Sequence, residues 1–486
     1  MSYLNPRHEG RLLVMPVLPN AFATLQVYEA TANSVPLALE GSDDKVAFLV
    51  DEVGGGDARD VFHFPFLFHA NGESWHEAND YLLSLLKHKS SMSRRTDDVR
   101  RVASKLLDYL LFCEDESLDW LDFSGARPSL RPTYKYFYHL INQGGRSNAV
   151  VNQYTGAVYN FYQYISVHWH EVDMKRVDTV KQVKMVVRGA NGSKVIDVEK
   201  RSQTTRARPV SPVLLGFVRE DGEDLRPLSN LELRALITTI VNEKLWSTIE
   251  RLILLTSLMT GARKQTVLTL RLRHLEGFSE GRLLPEGAYK VHAGPGTGID
   301  TKFDKPQDLY FPKQLAEELT TLACSPMMKK RREKFRAQMA AQFGMSISEE
   351  DVYLFISEQG NCYYMAKNDP RYMLVKSPQT GQVTETIKRK LVKKTFEQFP
   401  ADFSYHWLRA TFAYQLYQRL QVLVDKGVMR DGEIIDFIQN RMHHESRETT
   451  EHYLKLFRMT QEKFIAQELW EQKLFNNSGY SALVVG

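Results

Sequence analysis

One run of apolar residues repeats at the spacing of an α-helix over some four turns. Its members recur at intervals of three and four positions, singly or as adjacent pairs, so they share one helix face that must be buried. A second run follows Thr96, a residue type that favours helix starts. Together the two runs predict a helical bundle over residues 75–168. The runs are Val150, Val151, Tyr154, Ala157, Val158, Phe161, Tyr162 and Ile165, and Val99, Val102, Ala103, Leu106, Leu107, Leu110 and Leu111.

Residues 1–74 show a different pattern, in which short apolar pieces are cut by Pro19, Gly41 and a run of three glycines. This pattern is typical of strands and turns, so we expect a β-rich or α/β extension. The first 75 residues hold ten Asp and Glu against four Lys and Arg, which disfavours direct contact with DNA. Three roles stay open for the extension: binding a partner protein, binding another protomer, or no binding at all.

Residues 169–226 read as a basic linker. Positions 175–208 contain ten Lys and Arg and three acidic residues, and a turn is expected at residues 189–192. Alternating residues on both sides of this turn allow a hairpin. The charge suits a chain that wraps a DNA duplex, and equally a mobile linker kept in solution by charge.

A further domain is expected over residues 227–475, with a short tail at 476–486. It opens with a capping box formed by Ser229 and Glu232, and most of it has helical periodicity. Residues 270–312 are rich in Gly and Pro, and the apolar pieces 289–292 and 309–311 predict a small sheet. Residues 325–345 form a basic helical segment. The fold class is therefore mainly α and multidomain.

Composition limits the class of protein. The 486 residues carry a net charge of +4, and the basic part lies after the extension, which favours a polyanionic partner. The three cysteines, Cys113, Cys324 and Cys362, form no CxxC pair, so neither a zinc site nor a disulfide framework is indicated. Because no long apolar run and no signal-peptide pattern occur, we expect a cytoplasmic protein without a membrane partner.

Three separated motifs in the last domain carry the chemistry. Arg263 follows an apolar helix and Gly261. His406 and Arg409 lie three positions apart, on one helix face, where both can address a single phosphate. The last motif holds His443 and His444, then Thr449, Thr450 and Tyr453. Each motif alone is ambiguous, and a zinc site made from His406, His443, His444 and His452 is the competing interpretation, although no HExxH spacing supports it.

In order and spacing these motifs resemble the tyrosine recombinase, or phage integrase, family, whose members carry Arg, then HxxR, then a histidine, then a nucleophilic tyrosine. The resemblance covers roughly residues 75–470, since the bundle looks like the core-binding domain of the family. Three positions depart from the family pattern. Thr266 stands where an acidic residue is usual, His443 where a glycine is usual, and Ala410 where a histidine is common.

The resemblance implies a site-specific DNA recombinase, integrase or transposase-like, that needs no metal, ATP or other cofactor. Tyr453 would attack the phosphate and form a 3′-phosphotyrosine, with His406 as proton acceptor. Arg263 and Arg409 would hold the non-bridging oxygens, and His444 would hydrogen-bond the phosphate. Lys302 is expected to protonate the leaving 5′ oxygen, and Lys305 is its rival in the same turn.

Double-stranded DNA is the expected partner. The resemblance also implies four protomers that exchange strands through a Holliday junction, with a partner recombinase or accessory protein as a further possibility. We hypothesise that the amphipathic residues 460–475 dock on a neighbouring protomer, and packing on their own domain is nearly as favourable. Candidate DNA-binding side chains outside the motifs are Arg94, Arg95, Arg100, Arg101, Lys175, Arg176 and Lys305.

Competing functions remain at this point. A type IB topoisomerase shares the tyrosine and arginine chemistry, although the HxxR motif and the spacing from the threonines to the tyrosine look more like the recombinases. A DNA-binding accessory protein that does not cut is a rival of a different class. A metal-dependent hydrolase comes last.

Overall fold

The computed structural model describes residues 10–22, 24–28, 49–53, 60–87, 96–189, 192–205, 217–220, 223–242, 244, 246–395, 399–444 and 450–451. The chain divides into two compact units, Met1–Ser211 and Pro212–Gly486. Within the described residues the fold is mainly helical, with small two-stranded antiparallel sheets. The mainly helical class predicted from the sequence is thus confirmed. None of the described helices is both long and apolar enough to cross a lipid bilayer.

The helices of the first unit bury the two apolar runs. Leu106 and Leu110 of one helix and Phe161 and Ile165 of another are almost fully buried in one cluster. Ser147 caps the second of these helices by accepting a hydrogen bond from the Val150 backbone. The helices are α1 (His76–Lys87), α2 (Thr96–Asp115), α3 (Pro132–Asn142), α4 (Asn148–His168) and the short α5 (Met174–Val177).

The strands of the first unit form three antiparallel pairs. The strand Val61–Leu67 turns Phe64 and Leu67 into the same apolar cluster as the helices, so this part of the extension shares the core of the bundle. The ends of the β5–β6 pair are tied to α4, because Arg201 Nη1 donates to the Thr155 carbonyl at 2.8 Å. The pairs are β1 (Leu12–Leu18) with β4 (Val61–Leu67), β2 (Thr24–Tyr28) with β3 (Leu49–Val53), and β5 (Val180–Gly189) with β6 (Gly192–Arg201).

The second unit is built around a largely buried helix, Thr248–Thr260, which packs against three other helices and one strand of the unit. The capping box that the sequence predicts at Ser229 and Glu232 is present. The helices are α6 (Asn230–Val241), α7 (Thr248–Thr260), α8 (Lys264–Leu268), α9 (Lys313–Cys324), α10 (Pro326–Phe343), α11 (Val383–Lys394), α12 (Trp407–Asp425) and α13 (Asp431–Met442). The strands pair as β7 (Val218–Glu220) with β8 (Glu223–Leu225), and β9 (Ala288–Ala293) with β10 (Gln307–Pro312).

The basic segment predicted at residues 325–345 is α10, and several of its cations hold neighbouring loops. Arg331 donates to the carbonyl of Ile356 at 3.0 Å, and Arg336 donates to that of Ile347 at 3.1 Å. Arg332 is buried and donates to the Ala323 carbonyl at 2.8 Å. Much of the positive charge in this helix therefore serves the fold.

Gly261 ends α7 in the left-handed conformation, with φ of +70°. A Cβ at this position would lie 2.6 Å from the Phe412 ring. We expect Gly261→Ala to lower the free energy of unfolding of the second unit by about 2–4 kcal/mol, through backbone strain and overpacking together. Urea unfolding followed by tryptophan fluorescence measures this loss.

Gly344→Ala is the matched control, because Gly344 ends α10 at φ of +63° with open space around a new Cβ. The free energy of unfolding of Gly344→Ala should fall only by the cost of the strained backbone, about 1 kcal/mol. Equal losses in the two variants would contradict the role given to the Phe412 contact.

Candidate active site

Three helix ends of the second unit meet at one place: the C-terminus of α7, the N-terminus of α12 and the C-terminus of α13. Arg409, in the first turn of α12, is 3% exposed and joins them. Its Nη1 donates to the Gly261 carbonyl at 2.7 Å, and its Nη2 donates to the Met442 carbonyl. Helix C-termini present carbonyls without intrahelical partners and a partial negative charge, so a guanidinium suits this position.

Arg263 lies directly after this junction. Gly261 reverses the chain at the end of α7, and Arg263 then occupies the N-cap position of α8 with an extended backbone. Its side chain is half-buried and lines a cleft of about 380 Å³. The turn that follows α7 thus brings Arg263 close to Arg409.

His406 precedes α12 and lies one helical turn from Arg409, as the HxxR spacing predicts. Its backbone N–H donates to the Ser404 hydroxyl at 3.2 Å, and that hydroxyl donates to Glu223 Oε2 at 2.8 Å. The same carboxylate oxygen lies 3.9 Å from His406 Nδ1. A carboxylate therefore stands beside the imidazole.

The cleft collects four of the predicted site residues. Arg263, Lys302, His406 and Arg409 all line it, whereas Lys305 is not among its lining residues. With Lys264, four cationic side chains and an imidazole line this small cleft, which makes it a site suited to a phosphate. The remaining lining residues are Glu223, Ser257, Ala262, Gln265, Thr384, Glu385, Ser404 and Tyr405.

Lys302 is carried on the loop between β9 and β10, and the rest of the unit holds this loop at several points. Arg273 Nη2 and His274 Nε2 both donate to the Thr297 carbonyl, at 2.7 and 2.9 Å. Further along the loop, Lys367 Nζ donates to both carboxylate oxygens of Asp304, at 2.7 and 2.8 Å. The lysine therefore enters the cleft from an anchored loop.

His444 follows the end of α13 and is 9% exposed. A hydrogen bond of 3.0 Å joins its Nδ1 to the hydroxyl of Thr450, which is fully buried. Tyr453 lies outside the described residues, as do Thr449, His452 and residues 460–475. The predicted histidine is therefore tied to the chain three residues before the predicted nucleophile.

The candidate DNA-binding side chains of the first unit have varied surroundings. Arg94 and Arg95 lie outside the described residues. Arg100 and Arg101 form ion pairs with Asp97 and Asp98 on their own helix. Lys175 is exposed, whereas Arg176 donates to the carbonyls of Phe123, Ser124 and Gly125 at 2.7–3.1 Å.

Sequence reasoning missed Glu223 and Ser404. Glu223 falls inside the region expected to be a basic linker, 183 residues before His406, and no local motif marks it. Only the fold of the β7–β8 pair brings it to the cleft. Among the described residues, no group of three or more His, Cys, Asp or Glu is arranged to hold a metal ion.

Solved structures of recombinases and integrases are similar to this chain over about 80% of its length. The Tn1549 transposon integrase in complex with transposon right-end DNA has 13% identity and a TM-score of 0.38, covering 81% of this chain and 98% of its own. The XerH site-specific recombinase bound to its difH substrate has 15% identity and a TM-score of 0.41, covering 80% and 88%. A lambda integrase dimer bound to a core site has 12% identity and a TM-score of 0.34, covering 78% and 94%.

No protein-family model matches the sequence, and no curated protein does either.

His274 gives a pH-dependent prediction for the lysine loop. Burial lowers its pKa to about 4, and the nearby Arg273 and Arg271 add to this effect. The folded protein keeps His274 neutral and the unfolded chain takes up the proton, so stability falls as the pH drops below about 6.5. Between pH 7 and pH 5 the free energy of unfolding should lose about 2 kcal/mol through this group.

Urea unfolding at both pH values measures this loss, and His274→Gln should remove most of it. An equal pH dependence in the variant and the wild type would contradict the assignment of a neutral imidazole.

Proposed function

We propose that this protein is a site-specific DNA recombinase, integrase or transposase-like, that cuts and rejoins strands through a 3′-phosphotyrosine. The observation that carries the proposal is the convergence of Arg263, Lys302, His406 and Arg409 on one cleft of about 380 Å³. These residues are 39, 104 and 3 positions apart in the sequence. Local packing alone gives no reason for them to meet.

The two arginines bind the scissile phosphate. A guanidinium offers paired N–H donors in one plane and stays charged, so it stabilises the added negative charge of a pentacoordinate transition state. Arg409 uses Nη1 and Nη2 for the helix ends, which fixes the plane of its guanidinium before DNA binds. A fixed donor needs no reorganisation when the reaction occurs.

Tyr453 is the nucleophile of the proposed reaction. Its ordinary pKa lies near 10, so it requires a proton acceptor, and His406 has this role. Thr450 is bonded to His444, and three residues of chain span at most about 11 Å. This short tether to His444 supports Tyr453 as the attacking residue.

Lys302 is the acid that protonates the leaving 5′ oxygen, and His444 donates a hydrogen bond to the phosphate. The carboxylate of Glu223 orients His406 and balances part of the positive charge of the cleft. The reaction is reversible because the phosphotyrosine bond keeps the energy of the broken phosphodiester. No step requires a metal ion or ATP.

Double-stranded DNA is the proposed partner of both units. The bundle of the first unit is the proposed core-binding domain, with Lys175, Arg94 and Arg95 as its proposed phosphate contacts, and Lys305 adds a contact beside the cleft. Strand exchange requires two sites, so a homotetramer on DNA is the proposed assembly. The N-terminal extension is assigned no role on DNA.

Covalent trapping tests the proposal. The protein is incubated in EDTA with supercoiled plasmid that carries the DNA flanking its own gene, and then denatured. We expect DNA linked to protein with wild type and none with Tyr453→Phe, because the phenyl ring has no attacking oxygen. Tyr363→Phe, which removes a hydroxyl outside the cleft, should still form the adduct.

The products separate the related functions. Recombined plasmid indicates a recombinase, and plasmid that is only relaxed indicates a topoisomerase. DNA binding without any adduct from wild type contradicts the proposal and favours an accessory protein.

The two lysines are separated by changing the leaving group. At the mapped cleavage site we expect Lys302→Ala to slow strand cleavage by about 10²–10⁴-fold, the usual contribution of a general acid. A substrate with sulfur in place of the leaving 5′ oxygen should restore the rate to within about ten-fold of wild type, since a thiol of pKa about 8.5 leaves without a proton.

Lys305→Ala is the matched control. At saturating DNA it should cleave both substrates at nearly the wild-type rate, because a phosphate contact beside the cleft changes affinity and not the protonation of the leaving group. A defect that sulfur relieves in Lys305→Ala but not in Lys302→Ala would reverse the assignment.

A further inference from the structure

His443 adopts a backbone conformation that is unusual for its residue type. It ends α13 in the left-handed region, with φ of 51° and ψ of 43°. Glycine adopts this conformation without steric strain, whereas a side chain with a Cβ is strained there. Glycine is also the residue expected at this position from the family pattern. A histidine here therefore calls for a contact that offsets the strain.

The imidazole makes such a contact with strand β10. His443 Nε2 donates to the backbone carbonyl of Asp308 at 3.0 Å. Because a carbonyl only accepts hydrogen bonds, Nε2 must carry the proton. Burial lowers the pKa of His443, and the nearby Arg409 and Arg263 lower it further. The imidazole is thus the neutral tautomer protonated at Nε2.

A second contact joins the same helix turn to the same strand. The guanidinium of Arg441 lies 3.4 Å from the centre of the Tyr310 ring. Tyr310 is two residues beyond Asp308, so both residues lie on one face of β10. The last turn of α13 is therefore held along this strand at two points.

The contact between His443 and Asp308 joins two parts of the chain that carry predicted site residues. Strand β10 pairs with β9 over six residues, and the loop between them holds Lys302. His444 directly follows His443 and is bonded to Thr450. One imidazole therefore connects the hairpin that carries Lys302 with the backbone that carries His444.

We propose that His443 is a positioning residue for the phosphotyrosine reaction, because its imidazole fixes His444 against the β9–β10 hairpin. The inference rests on the proposed function. The strands of the hairpin are packed into the core by alternate buried residues. Loss of the imidazole therefore displaces His444 relative to the hairpin and leaves Lys302 in place.

The test compares His443→Gly with Lys302→Ala on oxygen and sulfur substrates at saturating DNA. A displacement of a catalytic group by about 1 Å lowers the reaction rate about 100-fold. His443→Gly should therefore form the adduct about 10–100-fold more slowly than wild type. This loss should be the same with both leaving groups, whereas sulfur rescues Lys302→Ala. DNA affinity should stay within about two-fold of wild type.

Two variants serve as controls. Asn440→Gly places a glycine in the same turn at an exposed position and should cleave like wild type. His443→Asn tolerates a left-handed backbone but is too short to reach β10, so it should be as slow as His443→Gly. Added imidazole should restore part of the rate of His443→Gly only.

Amide hydrogen exchange on the DNA-free protein tests the contact between His443 and β10 independently of catalysis. Amides in residues 307–312 and 436–444 should exchange faster in His443→Gly than in wild type. Unchanged exchange overturns the contact. Wild-type rates on both substrates, or a defect that sulfur relieves, overturn the positioning role. Failure of wild type to form any adduct overturns the proposed function instead.

Discussion

The second unit depends on one buried guanidinium. Arg409 bonds the carbonyls that end α7 and α13 while its own helix, α12, begins beside them. An apolar residue at this position would leave two helix ends without these donors, and a lysine could not reach both carbonyls in one plane. Arg263 and His406 are each within three residues of one of these helix ends, so the same bonds that complete the fold also assemble the cleft, and His444 follows the third helix end.

The cleft concentrates positive charge, and the surrounding structure offsets the repulsion. Glu223 reaches His406 from the β7–β8 pair, and Lys367 holds the loop of Lys302 through Asp304. These groups are placed before any phosphate is present. In the proposed reaction, such preorganised charge stabilises the transition state more effectively than flexible side chains in water, because no reorientation is required.

Many of the basic side chains in this protein bind other parts of the fold. Arg331 and Arg336 of α10 hold loops through carbonyls, and Arg176 does the same in the first unit. Arg100 and Arg101 are paired with acidic residues one turn away. A basic segment therefore indicates a nucleic-acid surface only when its side chains are not already used by the fold. Local sequence does not reveal this, because the acceptors are backbone carbonyls elsewhere in the chain.

Periodicity predicts the helical class, the apolar faces of α2 and α4 and the small β9–β10 sheet, and motif spacing predicts a common site for Arg263, His406, Arg409, His444 and Tyr453. Periodicity and spacing record neighbours that lie within a few residues, so these features are legible locally. Three features required the folded chain: Lys302 rather than Lys305 lines the cleft, Glu223 stands beside His406, and His443 reaches Asp308. Contacts between residues more than a hundred positions apart depend on how whole helices and strands pack, and no local pattern encodes that packing.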